Sequence, residues 1–386
     1  MAQADGLIYL DHAATTPIRP EVLAAMLPHL QSGWANPSSN YEPGRAARGA
    51  LEDARANVAD CLGAQPAEIV FTGGGSESNN LAIKGVASAA GPGRHIVTTA
   101  IEHHAVLHAC QYLEARQGYT VSYLPVDGQG LVDPEGVAAA ITPNTVIVSV
   151  MLANNEVGTI EPVVEIGGLL RPRGVLLHTD AVQAVGMLPV DVGDLNVDLL
   201  TISAHKFGGP KGVGALYVRR GTAVDALVHG GGQEFGLRAG TESVAQAVGL
   251  ATALRLAVSE REARAVALQA LRNRLIAGVL ATVPDAFLTG HPERRLPGNA
   301  SFCFPKVEGE TVLIELDARG ICASAGSACS AGSTEPSHVL QAMQIPAAYI
   351  RGALRLTLGA DNTEAQVDEV IYALATILED LHALAA

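Results

Sequence analysis

The chain has 386 residues, of which 48% are apolar, and this is enough to form a large core and two domains. Its formal net charge of −14 and its lack of clustered Lys and Arg exclude nucleic acid or an anionic membrane as the main partner, since both require a concentrated basic surface. No apolar run approaches the roughly 20 residues that cross a bilayer, and the first residues lack the pattern of a secretion signal, so we expect a cytoplasmic protein without a membrane partner.

Short β-branched runs alternate with helical segments between residues 60 and 220. The predicted strands are EIVFT (68–72), HIVTTA (95–100), TVSYLPV (120–126), TVIVSVM (145–151), GVLLHTD (174–180) and LLTIS (199–203). Residues 78–90 and 104–118 are typical of the helices between them. Strands that are apolar throughout and separated by helices indicate an α/β fold with a mainly parallel sheet, covered on both faces.

The pattern changes from about residue 242 onward. A long Ala/Leu/Arg-rich helical stretch comes first, short strands follow, and a closing helix is predicted over 363–385. This change predicts a second, smaller α+β domain.

A glycine-rich turn follows the first strand of the alternating region. In an open parallel sheet, ligands bind beyond the carboxyl ends of the strands, so residues at those ends are candidates for chemistry. The turn GGGSES leads into a helix, whose N-terminus and Ser76 could bind a phosphate group. It matches neither a Walker A loop nor a GxGxxG dinucleotide turn, and a plain glycine-rich turn stays an alternative.

A pair of histidines follows the next strand. His103 and His104 lie in IEHH, and His104 with His108 has the i, i+4 spacing of a metal-binding pair. No convincing third ligand accompanies the pair, and a single histidine is more often structural than catalytic. We therefore predict no metal site.

Polar residues also follow the last three predicted strands. Asn154 and Asn155 could donate to a bound ring or substrate, or simply form a turn. Asp180 ends a buried strand, where an acid requires a cationic partner. His205 and Lys206 come after the last strand, and Lys206 taken alone could be a solvated loop residue.

Together these groups fit one ligand, pyridoxal phosphate. Its phosphate would bind at the glycine-rich turn, its aldehyde would react with the Lys206 amine, and its protonated pyridine nitrogen would pair with Asp180. A histidine over the ring face completes the set.

The chain resembles the pyridoxal-phosphate cysteine desulfurases of the NifS/IscS type, in the class-V aminotransferase family of fold-type I. The resemblance covers nearly the whole chain and is carried by YLDHAATTP (9–17), ANPSS (35–39), FTGGGSESNN (71–80), IEHHAV (101–106), NNEVGTI (154–160), HTDAVQ (178–183), SAHKFGGPKGVGALYVR (203–219), GGGQE (230–234), RAGT (238–241) and GSACSAGSTEPSHVL (326–340). It implies a large cofactor-binding domain over 17–257 and a small domain formed by 1–16 and 258–386.

The resemblance also implies roles for individual residues. Lys206 would attach the cofactor and move the substrate Cα proton, His103 would stack on the ring and act as an acid/base, and Cys329 would be the nucleophile. The implied cofactor-binding residues are Gly75, Ser76, Asn155, Asp180, Gln183, Ser203, His205, Lys206 and Thr241, the last reaching the site from the partner subunit of a homodimer. The implied substrate-binding residues are Asn36, Asn155 and Arg355.

The implied reaction converts L-cysteine to L-alanine and leaves a persulfide on Cys329. The chain has five cysteines, an odd number without CxxC spacing, so we expect most to be reduced and inert. Cys329 differs from Cys322 because it lies among small residues that bury a sulfur poorly. We expect a mobile loop over about 323–335 that delivers sulfur to an acceptor such as an iron–sulfur scaffold protein.

Two rival functions stay open at this stage. Another fold-type I enzyme, such as an aminotransferase, kynureninase or selenocysteine lyase, would need Lys206 but not Cys329. A non-catalytic homologue would bind no cofactor. The physiological acceptor of the sulfur is not identified by the sequence.

Overall fold

The computed structural model describes residues 6–326 and 336–385. In chain order, the strands are β1 (Ile8–Tyr9), β2 (Ile69–Thr72), β3 (His95–Thr99), β4 (Thr120–Leu124), β5 (Thr145–Ser149), β6 (Leu176–Asp180), β7 (Leu199–Ser203), β8 (Gly214–Val218), β9 (Phe287–Leu288), β10 (Asn299–Cys303), β11 (Ile321–Cys322) and β12 (Ala353–Thr357). The α-helices are α1 (Pro20–Gln31), α2 (Glu42–Leu62), α3 (Gly75–Ala90), α4 (His104–Gln117), α5 (Pro134–Ala139), α6 (Val163–Leu170), α7 (Val244–Ser259), α8 (Arg261–Thr282), α9 (Gly309–Asp317), α10 (His338–Ala342), α11 (Ala347–Ile350) and α12 (Glu364–Ala385).

The largest sheet in the described part of the chain has seven strands in the order β2-β8-β7-β6-β5-β3-β4. Five neighbouring strands run parallel to one another: β7, β6, β5, β3 and β4. Strand β8 runs antiparallel to both of its neighbours, β2 and β7. The ten residues between β7 and β8 contain no long helix and are too few for the usual parallel crossover, so the chain turns back on itself. The predicted α/β fold with a mainly parallel sheet is confirmed.

Both faces of this sheet are buried, and the strands show why. Side chains of one strand alternate between faces, and Ile69 and Phe71 pack in one core while Val70 packs in the other. One core includes residues from α2, α6 and α7, and the other includes residues from α3 and α4. The strands that are apolar throughout their sequence are therefore covered by helices on both faces of the sheet, as predicted.

The C-terminal part builds a separate core around a smaller sheet. The antiparallel strands β9, β10 and β12 pack with α8 and α12, and β1 pairs in parallel with β11. The long helical stretch predicted from residue 242 is two helices, because the chain turns at Glu260, whose carboxylate accepts hydrogen bonds from Arg19 at 2.7 and 2.9 Å. The division of the chain at residues 257 and 258 stays a prediction.

No helix among residues 6–326 and 336–385 combines the length and the apolar character that crossing a membrane requires.

A buried carboxyl group connects two strand ends of the large sheet. Glu102 follows β3 and is completely buried. Its Oε1 accepts hydrogen bonds from Thr99 Oγ1 and from the backbone N–H of Met151, which follows β5, each at 2.8 Å. Burial raises the pKa of Glu102 from 4.5 to about 8, and these two hydrogen bonds only partly oppose the shift. Glu102 is therefore protonated in the folded protein at neutral pH.

We predict that Glu102→Gln becomes more stable relative to the unmodified protein as pH rises from 4.5 to 8. In this window the unfolded chain releases the Glu102 proton while the folded protein retains it, so folding is penalised by up to about 1.4 kcal/mol per pH unit. Glutamine does not titrate and escapes this penalty. Urea unfolding of both proteins at pH 5, 6, 7 and 8 and at one protein concentration measures the effect. Glu165→Gln, on the exposed face of α6, is the matched control. Parallel stability curves for Glu102→Gln and the unmodified protein would contradict the prediction.

Candidate active site

A cavity of about 190 Å³ lies at the carboxyl ends of β6 and β7 and beside the segments that follow β3 and β5. It gathers predicted residues from both parts of the chain, as expected where parallel strands end side by side. The predicted residues that line it are Gly75, Ser76, His103, Asn155, Asp180, Gln183, Ser203, His205, Lys206 and Arg355.

The Lys206 amine is held by the N-terminal segment. A 3-10 turn after β7 carries Lys206, whose Nζ donates to the carbonyl oxygens of Ala13 at 2.6 Å and Ala14 at 2.7 Å. Gln183 Nε2 donates to the same Ala13 oxygen at 3.0 Å. Both alanines line the cavity, and sequence reasoning missed them because they act through backbone oxygens.

Asp180 is held as a hydrogen-bond acceptor at the end of β6. It is 6% exposed, its Oδ1 accepts from the N–H of Val182 at 3.0 Å, and its Oδ2 accepts from Asn79 Nδ2 at 2.6 Å. Asn79 lines the cavity and was missed as a site residue, although it lies one helical turn after Gly75, on the same face of α3. Its Oδ1 is buried without a hydrogen-bond partner in the described structure.

The glycine-rich turn brings the backbone at the start of α3 to the cavity. Gly74 has φ 144°, in the region that favours glycine, and a Cβ on Gly75 would lie 3.0 Å from Val182 Cγ2 and 3.3 Å from Ser203 Cβ. The first N–H groups of a helix have no partner within it, so this N-terminus favours an anion between Ser76 and Ser203.

His205 adds an uncharged group to this end of the cavity. Its Nδ1 lies 3.1 Å from Thr15 Oγ1. Burial, and then the charges of Lys206 and Lys211, lower its pKa from 6.5 to about 4. The imidazole is therefore neutral at physiological pH and binds other groups as a hydrogen-bond partner.

His103 caps α4 and presents a defined tautomer. Its Nδ1 accepts from the N–H of Ala105 at 3.1 Å, so the proton of the neutral ring lies on Nε2. The neighbouring His104 stacks on His108, with ring centroids 4.9 Å apart, and lies 4.6 Å from His338. Face-to-face rings are not arranged like two ligands of one metal ion.

Arg355 brings a buried guanidinium to the cavity from β12. It is 2% exposed, Nη1 donates to the carbonyl oxygen of Asn155 at 2.9 Å, and Nη2 donates to Asp11 Oδ1 at 2.7 Å. Its Nε has no hydrogen-bond partner within residues 6–326 and 336–385. Asp11 was not predicted, because its pairing with Arg355 depends on contact between opposite ends of the chain.

Two predicted site residues, Asn36 and Thr241, do not line this cavity in the described structure. Asn36 is exposed and its Oδ1 accepts from the N–H of Ser38 at 2.8 Å, and Thr241 is exposed ahead of α7. The role of Thr241 requires a second subunit, so both assignments stay predictions. Cys329, together with residues 327–335 of the predicted cysteine loop, lies outside the described residues.

The other four cysteines are poor nucleophiles. Cys110 and Cys303 are buried, and burial raises the pKa of each thiol to about 12. Cys61 and Cys322 are half-buried, and burial raises their pKa values as well. Because the thiolate is the reactive form, these environments favour a bystander role for Cys322.

The chain matches the aminotransferase class-V family over residues 8–370. It is 50% identical over 375 residues to the cysteine desulfurase IscS of Methanosarcina thermophila, covering 97% of this chain and 92% of the relative. It is 48% identical to the cysteine desulfurase IscS of Dictyoglomus turgidum over 378 residues, which is 98% of this chain and 96% of the relative.

A solved NifS-like protein superimposes with a TM-score of 0.91 at 38% identity, covering 97% of this chain and 99% of the solved one. These matches confirm the predicted fold-type I architecture and the resemblance to NifS/IscS-type proteins. The chain belongs to the class-V aminotransferase family.

Proposed function

We propose that this protein is a pyridoxal-phosphate-dependent cysteine desulfurase, which converts L-cysteine to L-alanine and places the sulfur on Cys329. The observation that carries the proposal is the meeting of Lys206, Asp180 and the N-terminus of α3 at one cavity. The named relatives, matched over nearly the full chain, support the same function.

The residues of the cavity fit the cofactor. The start of α3, where a Cβ on Gly75 would be crowded by Val182 and Ser203, suits a phosphate beside Ser76 and Ser203. The Asp180 carboxylate suits a protonated pyridine nitrogen, and Gln183 suits the phenolic oxygen of the ring. His103 is the aromatic group available to stack on the ring.

The bound cofactor supplies an electron sink that weakens bonds at the substrate Cα and Cβ. Lys206 would be the amine that attaches the cofactor, and it would move the proton on the substrate Cα. The carbonyl oxygens of Ala13 and Ala14, which hold the amine, keep it at the cavity until it reacts. His103 carries a proton on Nε2 and serves as the second acid/base.

Arg355 is the group that binds the substrate carboxylate. A guanidinium suits the two oxygens of a carboxylate, and its unpartnered Nε leaves a donor in place for one of them. Nη2 can exchange Asp11 for the other oxygen. Asn155 lies beside Arg355, and Asn36 completes the predicted substrate contacts.

The sulfur transfer is a nucleophilic attack by a thiolate on the substrate sulfur. The Cys329 thiolate attacks the substrate Sγ, the S–S bond forms, and the Cβ–S bond breaks with its electron pair passing to the substrate carbon. One proton returned to Cβ, and the proton that Lys206 took from Cα returned to Cα, would complete L-alanine, and the enzyme keeps Cys–S–SH. A thiol of an acceptor protein then takes the outer sulfur and restores Cys329.

Three further properties belong to this proposal. The protein acts as a homodimer in which Thr241 of one subunit completes the phosphate site of the other. Its location is the cytoplasm. Its acceptors are thiol-bearing sulfur carriers, such as an iron–sulfur scaffold protein.

We predict that Cys329→Ala and Lys206→Ala each lower L-alanine formation from L-cysteine by about 100-fold or more, because each removes a reacting group. Amino-acid analysis of timed reactions of the cofactor-loaded proteins measures the rates. Cys322→Ala is the matched control and should stay within about twofold of the unmodified protein, since its thiol is weakly ionised.

A full rate of alanine and sulfide formation by Cys329→Ala would indicate a different fold-type I enzyme. An unmodified protein that binds no pyridoxal phosphate would instead indicate a non-catalytic homologue. Either result would contradict the proposed function.

We predict that Asn79→Ala weakens the binding of pyridoxal phosphate by about 10-fold or more. The variant removes the Nδ2 donor from Asp180 Oδ2, and a hydrogen bond to a charged group is worth about 1.5–3 kcal/mol. Titration of the cofactor-free protein, followed by absorption, gives the dissociation constant. Asn80→Ala is the control, because Asn80 Nδ2 donates to the Ser76 carbonyl oxygen and not to Asp180 in the described structure. Equal affinity in Asn79→Ala and the unmodified protein would contradict the role of Asn79.

A further inference from the structure

The two ends of the segment that carries Cys329 meet in the described structure. Gly326 is the last described residue before the segment, and Ser337 lies just after it and caps α10. A Cβ built on Gly326 would lie 3.9 Å from the Cβ of Ser337. The chain therefore leaves and returns at nearly the same point.

The carboxylate of Glu156 lies at this meeting point. Ser337 Oγ donates to Glu156 Oε2 at 2.5 Å, and a Cβ on Gly326 would lie 3.2 Å from the same oxygen. Glu156 is 2% exposed, so the contact is shielded from water. A charge-assisted hydrogen bond in such a place is stronger than one at the surface.

Glu156 is itself fixed to the rim of the cavity. Its N–H donates to Asn154 Oδ1 at 2.8 Å, and its carbonyl oxygen accepts from Asn299 Nδ2 at 3.3 Å. The preceding residue, Asn155, lines the cavity and accepts from Arg355. The carboxylate that holds the segment is thus one residue away from the predicted substrate site.

Each end of the segment has a second tie to the same region. Ser324 exchanges backbone hydrogen bonds with Arg355, at 2.6 and 3.2 Å. His338 Nε2 lies 3.0 Å from the carbonyl oxygen of Glu102, the residue before His103. The entry of the segment is therefore tied to Arg355, and its exit is tied to the residue before His103.

We propose that Glu156 is a positioning residue for the Cys329 thiol: its carboxylate, which accepts a hydrogen bond from Ser337, anchors the exit of the cysteine-bearing segment next to its entry at Gly326, at the rim of the cavity. This inference rests on the proposed desulfurase function and assigns Glu156 to the sulfur-transfer step alone. Anchoring the exit of a short segment next to its entry limits the volume that its thiol can search and raises the effective concentration of the thiol at the substrate. Cofactor binding and L-cysteine binding do not depend on it.

The test separates the two stages of the reaction. In a single turnover of the holoenzyme, the absorption change on adding L-cysteine reports substrate binding to the cofactor, and alkylation followed by mass spectrometry measures the persulfide on Cys329. Glu156→Ala and Ser337→Ala should each form the persulfide about 10-fold more slowly or worse, with the absorption change unaltered. Ser337→Thr keeps the hydroxyl and should restore the rate, and Glu165→Ala, on the surface of α6, should have no effect.

A double variant sharpens the result. Because both residues act through one contact, Glu156→Ala combined with Ser337→Ala should lose no more than the slower single variant. An unchanged persulfide rate in both single variants overturns the proposal, as does equal slowing of the absorption change and of persulfide formation. If the unmodified protein binds L-cysteine but forms no persulfide on Cys329, the proposed function fails, and the role of Glu156 fails with it.

Discussion

The hydrogen bonds from the Lys206 amine to the Ala13 and Ala14 carbonyl oxygens are the contact on which the site depends. They join the end of β7 to a segment that begins in β1, which pairs with β11 in the C-terminal part of the chain. Thr16 continues the connection by donating to the His205 carbonyl oxygen. The position of the amine therefore depends on the packing of both parts of the chain against each other.

The second constraint is the burial of charge at the rim of the sheet. Asp180 and Arg355 are almost fully buried, and each is compensated locally, Asp180 by Asn79 and a backbone N–H, and Arg355 by Asp11 and a carbonyl oxygen. Groups held this way are already oriented when a ligand of complementary charge enters, and Arg355 has to give up only its contact with Asp11. Arg355 Nε and Asn79 Oδ1 have no hydrogen-bond partner in the described structure, so a hydrogen bond from a ligand to either atom would contribute most to binding.

Much of this arrangement could be predicted from the sequence, because an apolar strand followed by a polar residue places that residue at the rim of a parallel sheet. Lys206 and Asp180 were placed at the rim in this way. The six predicted strands, which the β-branched runs indicate, are all present in the large sheet. The antiparallel direction of β8, the turn at Glu260 and the Asp11 partner of Arg355 could not be predicted. They depend on contacts between distant parts of the chain, which strand and helix periodicity does not encode.

Reduction of the purified holoenzyme with borohydride, followed by peptide mapping, tests the central claim most directly. If Lys206 holds the cofactor, reduction abolishes the visible absorption and leaves a pyridoxyl group on Lys206. A pyridoxyl group on Lys211 instead, which lies in the same loop after β7, would contradict the account. A protein that keeps no visible absorption after incubation with pyridoxal phosphate and removal of the free cofactor would contradict it as well.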